Sequence, residues 1–147
     1  MIKIISALDT FLVRKPVLRP NKNIDSCRFV GDDLKTTIHF GYYNDEKIVG
    51  VASLFELKNI NFDVINQYQL RGMAVLNDYQ KLGIGEKLMN YCENHSVKKN
   101  INLIWFNARI SAVPFYEKLG YQKFGNLFII PEIGDHLVMF KLFVDNK

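Results

Sequence analysis

The hydrophobic period of this sequence changes near residue 84, and that change constrains the fold more than any other feature. Before it, residues 37–43, 47–57 and 68–76 are rich in β-branched and aromatic side chains and predict three antiparallel strands. After it, apolar side chains and a histidine recur at helical spacing: Ile84, Leu88, Cys92 and His95. Residues 101–106 then form a continuous apolar run, typical of a strand buried on both faces. A helix between two such strands predicts a βαβ crossover with one parallel strand pair.

The N-terminal part of the sequence predicts a strand followed by a helix. Residues 2–6 suit a short strand, and Asp9 or Thr10 suits the N-cap of the helix that follows. Pro16 and Pro20 bracket a stretch in which we expect regular helix to falter, because proline lacks the N–H that a helix interior needs.

Polar residues 20–36 predict a loop that nevertheless has apolar side chains to bury. Those side chains are Cys27, Phe29 and Val30. Further along the chain, a short helix is predicted to open at Ser111 or Ala112 and to end at Gly120.

Two closing strands, at residues 121–130 and 136–144, complete the predicted fold. It is a mixed α/β domain, whose largely antiparallel sheet contains a central βαβ crossover and one parallel strand pair and is flanked by helices. The chain has 147 residues, which suits one domain over residues 1–147 with one core.

Composition argues against several classes of protein. With 48% hydrophobic and 23% charged residues, the chain is typical of a globular domain rather than a disordered one. Two cysteines and three histidines show no metal-ligand spacing, so we expect reduced thiols and no metal. The net charge is +4, and the basic residues are scattered along the chain, so we predict no nucleic-acid partner. Because no apolar run approaches ~18 residues and the N-terminus is a poor signal peptide, we expect no membrane partner and a cytoplasmic location.

The most informative segment joins a strand to the helix near residue 84. It reads Leu70-Arg71-Gly72-Met73-Ala74-Val75, then a turn, then Gln80-Lys81-Leu82-Gly83-Ile84-Gly85. Such a turn places unpaired backbone N–H groups at the positive end of a helix, where a phosphate or pyrophosphate binds. Glycine at positions 83 and 85 removes the Cβ atoms that would keep a ligand from the backbone. Two glycines are weak evidence alone, because a turn that only packs a helix against a strand has the same pattern. The Rossmann and Walker nucleotide-binding patterns are absent.

A second motif follows the next strand: Asn107-Ala108-Arg109-Ile110-Ser111-Ala112-Val113-Pro114-Phe115-Tyr116-Glu117-Lys118-Leu119-Gly120-Tyr121. The pair Q-x-x-G-x-G and N-x-x-x-x-A-x-x-F-Y-x-x-x-G-Y resembles the GNAT superfamily of acyl-CoA-dependent N-acyltransferases. The resemblance covers roughly residues 37–143 in element order, and residues 18–39 and 130–136 also resemble an uncharacterised bacterial subgroup. It implies a single N-acetyltransferase domain that uses acetyl-CoA as the acyl donor.

The resemblance also implies a role for each part of the two motifs. The backbones of Met73 and Val75 would pair with pantetheine, as an added strand does. The backbone amides of the loop would hold the pyrophosphate: Gln80, Lys81, Leu82, Gly83, Ile84 and Gly85. Asn107 would contact the cofactor arm, and Tyr116 would protonate the departing CoA thiolate.

Ordinary structural roles stay open for several of these residues. Asn107 suits a helix N-cap or a turn equally well. Tyr116, beside Phe115, also suits a core ring with a satisfied hydroxyl, and Lys81 suits a solvated charge. Cys92 lies on the apolar stripe of its helix and is interpreted as core, so no cysteine nucleophile is predicted.

The position of the family's usual general base is the main departure from the pattern. Many members have a glutamate there, whereas counting back from the loop gives Gln69, which cannot titrate. Removing the proton from an amine of pKa about 10.4 at pH 7 costs about 4.6 kcal/mol, so a proton acceptor is needed. The candidates are His136, His39, Glu56 and an ordered water. His136 comes first because it opens the last strand, near where acceptors bind in the family, whereas a structural role is favoured for His39.

The resemblance therefore implies transfer of an acetyl group from acetyl-CoA to a primary amine of a small molecule or peptide, by direct attack in a ternary complex. The alternative class is a non-catalytic acyl-CoA-binding sensor or scaffold. The lack of a glutamate at position 69 favours this alternative, and the presence of Tyr116 argues against it. In the family the acceptor pocket is built from the variable N-terminal part and the closing strands, so the acceptor is not predicted. The oligomeric state, including a homodimer, also stays open.

Overall fold

The structure, a computed structural model, describes residues 1–143. Its strands are β1 (Ile2–Ile5), β2 (Ile38–Asn44), β3 (Lys47–Phe55), β4 (Gln67–Val75), β5 (Leu103–Arg109), β6 (Gln122–Ile130) and β7 (Gly134–Leu142). Its α-helices are α1 (Ala7–Leu18), α2 (Ile84–Lys98) and α3 (Val113–Lys118), and short 3₁₀ helices cover Ile24–Cys27, Asn77–Tyr79 and Ile110–Ala112. Hydrogen-bonded strands follow the order β1-β2-β3-β4-β5-β7-β6. Because α2 connects β4 to its parallel neighbour β5, the predicted mixed sheet and crossover are confirmed.

The described residues fall into two units, and the first contains residues 1–56 and 70–95. In this unit the N-cap of α1 is Ser6, whose hydroxyl accepts a hydrogen bond from the Asp9 N–H at 3.1 Å. The prediction of Asp9 or Thr10 as the cap is therefore wrong. Asp9 lies in the first helical turn instead, where its carboxylate suits the positive end of the helix.

Pro16 lies inside α1, which continues to Leu18, so the expected break is also wrong. Packing holds the last turn, because Val17 and Leu18 contact the core cluster that contains Val13. Val17 and Leu18 are partly buried, so each contributes less than the about 1.5–3 kcal/mol of a fully buried aliphatic side chain. Together they offset part of the ~3 kcal/mol that an interior proline costs.

Two helices of the first unit lie on opposite sides of β3. Val51 of β3 packs in the core cluster with Val13 of α1. The neighbouring Gly50 lies against α2, where a Cβ atom would come within 3.0 Å of Ile84 and Leu88. Because adjacent strand residues point to opposite faces, α1 and α2 cover opposite faces of the strand. The close approach of α2 requires glycine at position 50.

The second unit contains residues 57–69 and 96–143 of the described chain. Here the first three residues of β4 pair with β5 in parallel register, from Gln67 with Leu103 to Gln69 with Trp105. A core cluster of Phe62, Leu103 and Trp105 packs against side chains of β6 and β7. This packing explains the continuous apolar run of β5, which has side chains to bury on both faces.

The side chain of Gln67 fixes the loop that precedes β4. Its oxygen accepts a hydrogen bond from the Asn59 N–H at 2.8 Å, and its nitrogen donates to the Val64 carbonyl at 2.8 Å. The Trp105 indole N–H donates to the Leu57 carbonyl at 2.9 Å. These bonds replace the backbone ladder that an irregular segment lacks.

Two smaller predictions have different outcomes. Val30 is 93% exposed, whereas Cys27 and Phe29 are buried as expected. Val30 lies at the surface in the turn that the hydrogen bond from the Asp32 N–H to the Phe29 carbonyl closes at 3.1 Å. The last strand ends at Leu142, and Val144, where we placed its end, lies outside the described residues. Within residues 1–143, no helix is both long enough and apolar enough to cross a membrane.

Candidate active site

β4 is irregular at Gly72, just before the predicted pantetheine-pairing residues. Gly72 has φ +66°, in the left-handed region that favours glycine, and a Cβ there would lie 3.0 Å from the Phe29 ring and 3.1 Å from Arg14 Nε. Beyond it, Met73 and Val75 are half-buried. Within the described residues of the first unit, this part of β4 has β3 on one side and no strand on the other. An extended ligand can pair with such an edge as an added strand does.

Gln80 ties the loop after β4 back to that strand. Its side-chain nitrogen donates to the Val75 carbonyl at 2.9 Å and to Asn77 Oδ1 at 3.1 Å. Its backbone N–H donates to the Asn77 carbonyl at 3.3 Å. Because both its side chain and its N–H are engaged within the protein, Gln80 shapes the loop.

The next backbone N–H groups, from Lys81 to Glu86, are open. Lys81 (φ +64°) and Gly83 (φ +85°) have left-handed conformations. No group within residues 1–143 accepts a hydrogen bond from these six N–H groups, and the first bond of α2 runs from the Lys87 N–H to the Gly83 carbonyl at 3.1 Å. A Cβ at Gly83 would meet nothing within 4 Å. Consecutive N–H groups in alternating conformations at a helix start form an anion-binding concavity.

Side chains of the same loop divide into one anchor and several surface groups. Ile84 is 6% exposed and packs beside β3, which fixes the first turn of α2. Lys81 and Leu82 are exposed, and Gly85 is half-buried. The Lys81 ammonium is therefore placed for either of its predicted roles, a solvated charge or a phosphate partner.

Asn107 lies within β5 of the second unit, opposite Val138 of β7. The alternative roles of helix cap and turn residue are wrong, because the N-cap of α3 is Ala112 and that of the preceding 3₁₀ helix is Arg109. The Asn107 side chain is exposed, so its amide can both donate and accept hydrogen bonds to a ligand.

The helix that carries Tyr116 begins at Val113, after the 3₁₀ turn that occupies the predicted start. Gly120, with φ +93°, ends it as predicted. The Gly120 N–H donates to the Glu117 carbonyl at 3.0 Å, and the Tyr121 N–H donates to the Tyr116 carbonyl at 3.1 Å. These two bonds form a Schellman motif, which fixes the backbone of Tyr116.

The Tyr116 ring packs among other aromatic rings and is 8% exposed. Its centroid lies 4.4 Å from that of Phe106, 5.0 Å from that of Phe115 and 6.1 Å from that of Tyr121. The ring is therefore packed as the alternative structural role requires. The role of its hydroxyl as an acid stays a prediction.

His136 is the third residue of β7, which begins at Gly134 and not at residue 136 as predicted, and it lies buried opposite Arg109 of β5. Its Nδ1 lies 2.7 Å from the Gly134 carbonyl oxygen, which can only accept a hydrogen bond. The proton of a neutral ring is therefore on Nδ1, and Nε2 has the lone pair. This is the tautomer that a general base at Nε2 requires.

His39, by contrast, uses both ring nitrogens inside the protein. Nε2 lies 2.9 Å from the Asp32 carbonyl oxygen, and Nδ1 lies 2.6 Å from Ser53 Oγ. Both contacts are buried, which agrees with the structural role favoured for His39. Glu56 is exposed after β3, and Gln69 is buried in the parallel ladder of the second unit.

A buried ion pair in the first unit was missed by the sequence analysis. Arg14 and Asp32 both have fully buried side chains, joined by hydrogen bonds of 2.6 and 3.2 Å. Arg14 also donates to the Cys27 carbonyl at 2.8 Å and to Ser53 Oγ at 3.1 Å. Gly31-Asp32-Asp33 has the composition of an ordinary turn, and no periodicity links positions 14 and 32.

Among the described residues, neither the two thiols nor any cluster of metal-ligating side chains forms a further reactive site. Cys27 and Cys92 are buried and not in a disulfide. Burial raises the pKa of the Cys92 thiol, which keeps it protonated and unreactive. Within residues 1–143, no group of three or more His, Cys, Asp or Glu side chains could hold a metal ion.

Comparisons by sequence give two related findings. The protein-family model described as "Acetyltransferase (GNAT) domain" matches residues 35–123. A protein of Bacillus subtilis (strain 168), the uncharacterized N-acetyltransferase YitI, is 33% identical over 140 residues, which are 95% of this chain and 94% of that protein.

Comparisons by structure agree with them. An aminoglycoside 6'-N-acetyltransferase complexed with coenzyme A has a TM-score of 0.80 and 15% identity, over 100% of this chain and 99% of that chain. The ribosomal-protein-S18-alanine N-acetyltransferase from Escherichia coli has a TM-score of 0.76 and 17% identity, over 100% of this chain and 97% of that chain. At such low identity, the likeness shows the fold alone.

Proposed function

This chain belongs to the GNAT acetyltransferase family, and we propose that it transfers an acetyl group from acetyl-CoA to a primary amine by direct attack in a ternary complex. The observation that carries the proposal is the set of open N–H groups from Lys81 to Glu86. Backbone donors at a helix start suit a pyrophosphate, because each supplies a hydrogen bond and the helix dipole adds about 0.3–1 kcal/mol.

Acetyl-CoA supplies an activated acetyl thioester when it is bound. In the first unit, the backbones of Met73 and Val75 would pair with its pantetheine arm, and the loop amides would hold its pyrophosphate. The unpaired edge of β4 and the open space at Gly83 support this placement. In the second unit, the exposed amide of Asn107 would contact the cofactor arm.

His136 is the general base in this proposal. Its Nδ1 proton is committed to the Gly134 carbonyl, so Nε2 is the nitrogen that would take the proton of the amine. His39 lacks such a nitrogen, because Ser53 and Asp32 engage both sides of its ring. A histidine base removes the need for the glutamate that Gln69 replaces.

Tyr116 is the general acid in this proposal, donating its phenolic proton to the departing CoA thiolate. A phenol of ordinary pKa about 10 and a thiol of ordinary pKa about 8.5 are close enough for such a donor to help. The Schellman motif and the aromatic packing support the role, because they hold the ring in one position.

The acceptor in this proposal is an amine of a small molecule or a peptide. The solved structures with this fold include enzymes named for both kinds, an aminoglycoside and a ribosomal-protein alanine. We further propose that residues 1–147 form one catalytic domain and that the protein acts in the cytoplasm, where its free thiols stay reduced.

A two-step experiment tests the proposed function. Calorimetry with acetyl-CoA measures donor binding, and thiol release in the presence of a panel of amine classes measures turnover. Binding with turnover of any amine supports the proposal. Binding without turnover of any amine would indicate a non-catalytic acyl-CoA-binding module instead. Absence of binding by a folded protein would overturn both.

A further inference from the structure

Three guanidinium groups of the first unit surround one aromatic ring, that of Phe29. The Cζ atoms lie 3.9 Å from the ring centroid for Arg14, 4.7 Å for Arg71 and 5.7 Å for Arg19. Arg71 also lies 5.4 Å from the centroid of Phe55. We call Arg14, Arg19 and Arg71 the guanidinium cluster.

The cluster has more positive charge than the protein neutralises. Asp32 uses both carboxylate oxygens on Arg14. Within residues 1–143, neither Arg19 nor Arg71 has a carboxylate within ion-pair distance. Three guanidinium groups therefore face one carboxylate, which leaves an excess of two positive charges. Nearby Arg28 differs, because Asp33 pairs with it at 2.6 Å.

Burial makes that excess charge unfavourable in the absence of a ligand. Arg19 and Arg71 are half-buried. The pKa of Arg71 is lowered, first by its burial and next by the neighbouring positive charge of Arg14, and Asp32 offsets this only in part. Arginine stays charged at neutral pH, so the cluster keeps this repulsion rather than losing a proton. An anionic group placed between Arg19 and Arg71 would relieve it.

The network behind the cluster holds it in a fixed arrangement. Asp32 accepts a hydrogen bond from the Phe29 N–H at 2.9 Å as well as those from Arg14. Ser53 accepts from Arg14 and contacts His39. These bonds hold the Arg14 side chain and the Phe29 backbone in place, so the ring on which Arg19 and Arg71 pack belongs to a fixed part of the unit.

The cluster lies close to the strand edge where we place the acyl donor. Arg71 precedes Met73 by two residues of β4, so their Cα atoms are at most about 7 Å apart, the distance in a fully extended strand. Gly72, with its φ of +66°, lies between them and lets Arg71 pack on Phe29 without a clash at position 72. A charge at Arg71 is thus within the length of a small amine from the proposed donor site.

We propose that Arg71 and Arg19 bind an anionic group, a carboxylate or a phosphate, of the amine acceptor. The inference rests on the proposed function and narrows it to amines that also carry negative charge, such as amino acids or phosphorylated amines. Arginine binds both groups through its planar fork of donors. The same cluster repels polycationic acceptors, so an aminoglycoside is a poor substrate.

The test uses acceptors that differ only in charge. Amino acids are compared with their amides, and O-phosphoethanolamine with ethanolamine, so that carboxylate and phosphate are distinguished. We expect kcat/KM to be at least tenfold higher for the anionic member of one pair. Arg71→Gln should reduce that preference at least tenfold, and Arg71→Lys should retain part of it because the charge is kept.

Two further variants keep the test specific. Arg19→Gln should also reduce the preference, through loss of the second positive charge. Arg28→Gln is the matched control, because Arg28 is an arginine of the same region whose charge Asp33 already neutralises. It should leave the preference unchanged. A tenfold loss of acetyl-CoA affinity in Arg71→Gln would assign the cluster to the donor's phosphates and overturn the inference.

Binding is measured separately from turnover, with N-acetylated amino acids and N-acetylated amino acid amides as probes. Tighter binding of the anionic probe, lost in Arg71→Gln, supports the anion site even if no amine is turned over and the proposed function fails. Turnover of amines without any preference for the anionic members overturns the inference and leaves the proposed function standing. Equal binding of both probes overturns it as well.

Discussion

The loop at residues 81–86 and the side chains around Asp32 differ in how many of their polar groups have a hydrogen-bond partner within the protein. In the loop, six backbone N–H groups have no acceptor within the described residues. Around Asp32, the carboxylate oxygens, the Ser53 hydroxyl and both nitrogens of His39 are hydrogen-bonded to other groups of the protein, whereas Arg14 Nε is buried without a hydrogen-bond partner within residues 1–143. Open donors at a surface are available to a ligand, whereas satisfied buried groups stabilise the fold.

The same contrast separates the two histidines considered as general bases. His39 has both ring nitrogens engaged, and His136 has one nitrogen held by Gly134. The hydrogen-bond partners, and not the residue type, are therefore our reason for proposing His136 and not His39 as the base.

The largest expected effect is on stability, in the buried network. Asp32→Ala leaves the Arg14 charge buried and unpaired, so we expect the free energy of unfolding to fall by about 3–5 kcal/mol. Denaturant unfolding measures it. Asp33→Ala removes an exposed partner of Arg28 and should change stability by less than about 1 kcal/mol. Equal losses in the two variants would show that the Asp32 network is not the stabilising element.

Next comes the catalytic acid. Tyr116→Phe keeps the packed ring and removes the hydroxyl, so kcat should fall by about 10²–10⁴-fold while acetyl-CoA affinity stays within a few-fold. Steady-state kinetics with a competent acceptor, together with calorimetry, separates the two quantities. Tyr121→Phe is the control from the same aromatic cluster and should retain kcat. A fully active Tyr116→Phe enzyme would reduce Tyr116 to a packing residue.

A smaller effect is expected for the histidine base. If His136 accepts the proton, kcat/KM has a limb that rises with pH and depends on His136, because only the neutral ring can act as a base. His136→Gln keeps a hydrogen-bonding side chain but cannot titrate, so it should flatten this limb and lower activity about ten- to hundredfold. The control, His39→Gln, should lower stability and keep the limb. A limb that survives in His136→Gln but not in His39→Gln would reverse our assignment.

Much of the fold could be predicted from the sequence because the spacing of apolar residues indicates which face of a helix or strand is buried. The helical stripe from Ile84 to His95 and the apolar run of β5 fixed the crossover, and both elements are present. The cap and end of α1 could not be predicted in this way. Ser6 and Asp9 are both good capping residues, and only the packing of Val17 and Leu18 decides that the helix passes Pro16.

The site was predictable where its function depends on the backbone. Glycines and helix starts are visible in a sequence, so a loop with open N–H groups was predicted at residues 80–85. The structure has them at Lys81–Glu86, because the Gln80 N–H donates to Asn77, and their binding of pyrophosphate stays a prediction. The guanidinium cluster was not, since Arg14, Arg19 and Arg71 share no spacing and meet only through Phe29. The engagement of both His39 nitrogens also depends on residues distant in sequence, Asp32 and Ser53.

The central claim is that the open amides after β4 bind the pyrophosphate of acetyl-CoA, and one pair of variants tests it. Gly83 and Gly125 have similar backbone conformations, with φ +85° and +75°, and a Cβ at either would meet nothing within 4 Å. Gly83→Glu and Gly125→Glu therefore carry a similar conformational cost, and only the first puts a carboxylate beside the amides.

Calorimetry with acetyl-CoA compares these two variants with the wild-type protein, after circular dichroism has shown that both are folded. We predict that Gly83→Glu weakens acetyl-CoA binding at least tenfold, about 1.4 kcal/mol, and that Gly125→Glu binds like the wild type. Equal affinity of all three proteins for acetyl-CoA would contradict the account and remove the loop from the site.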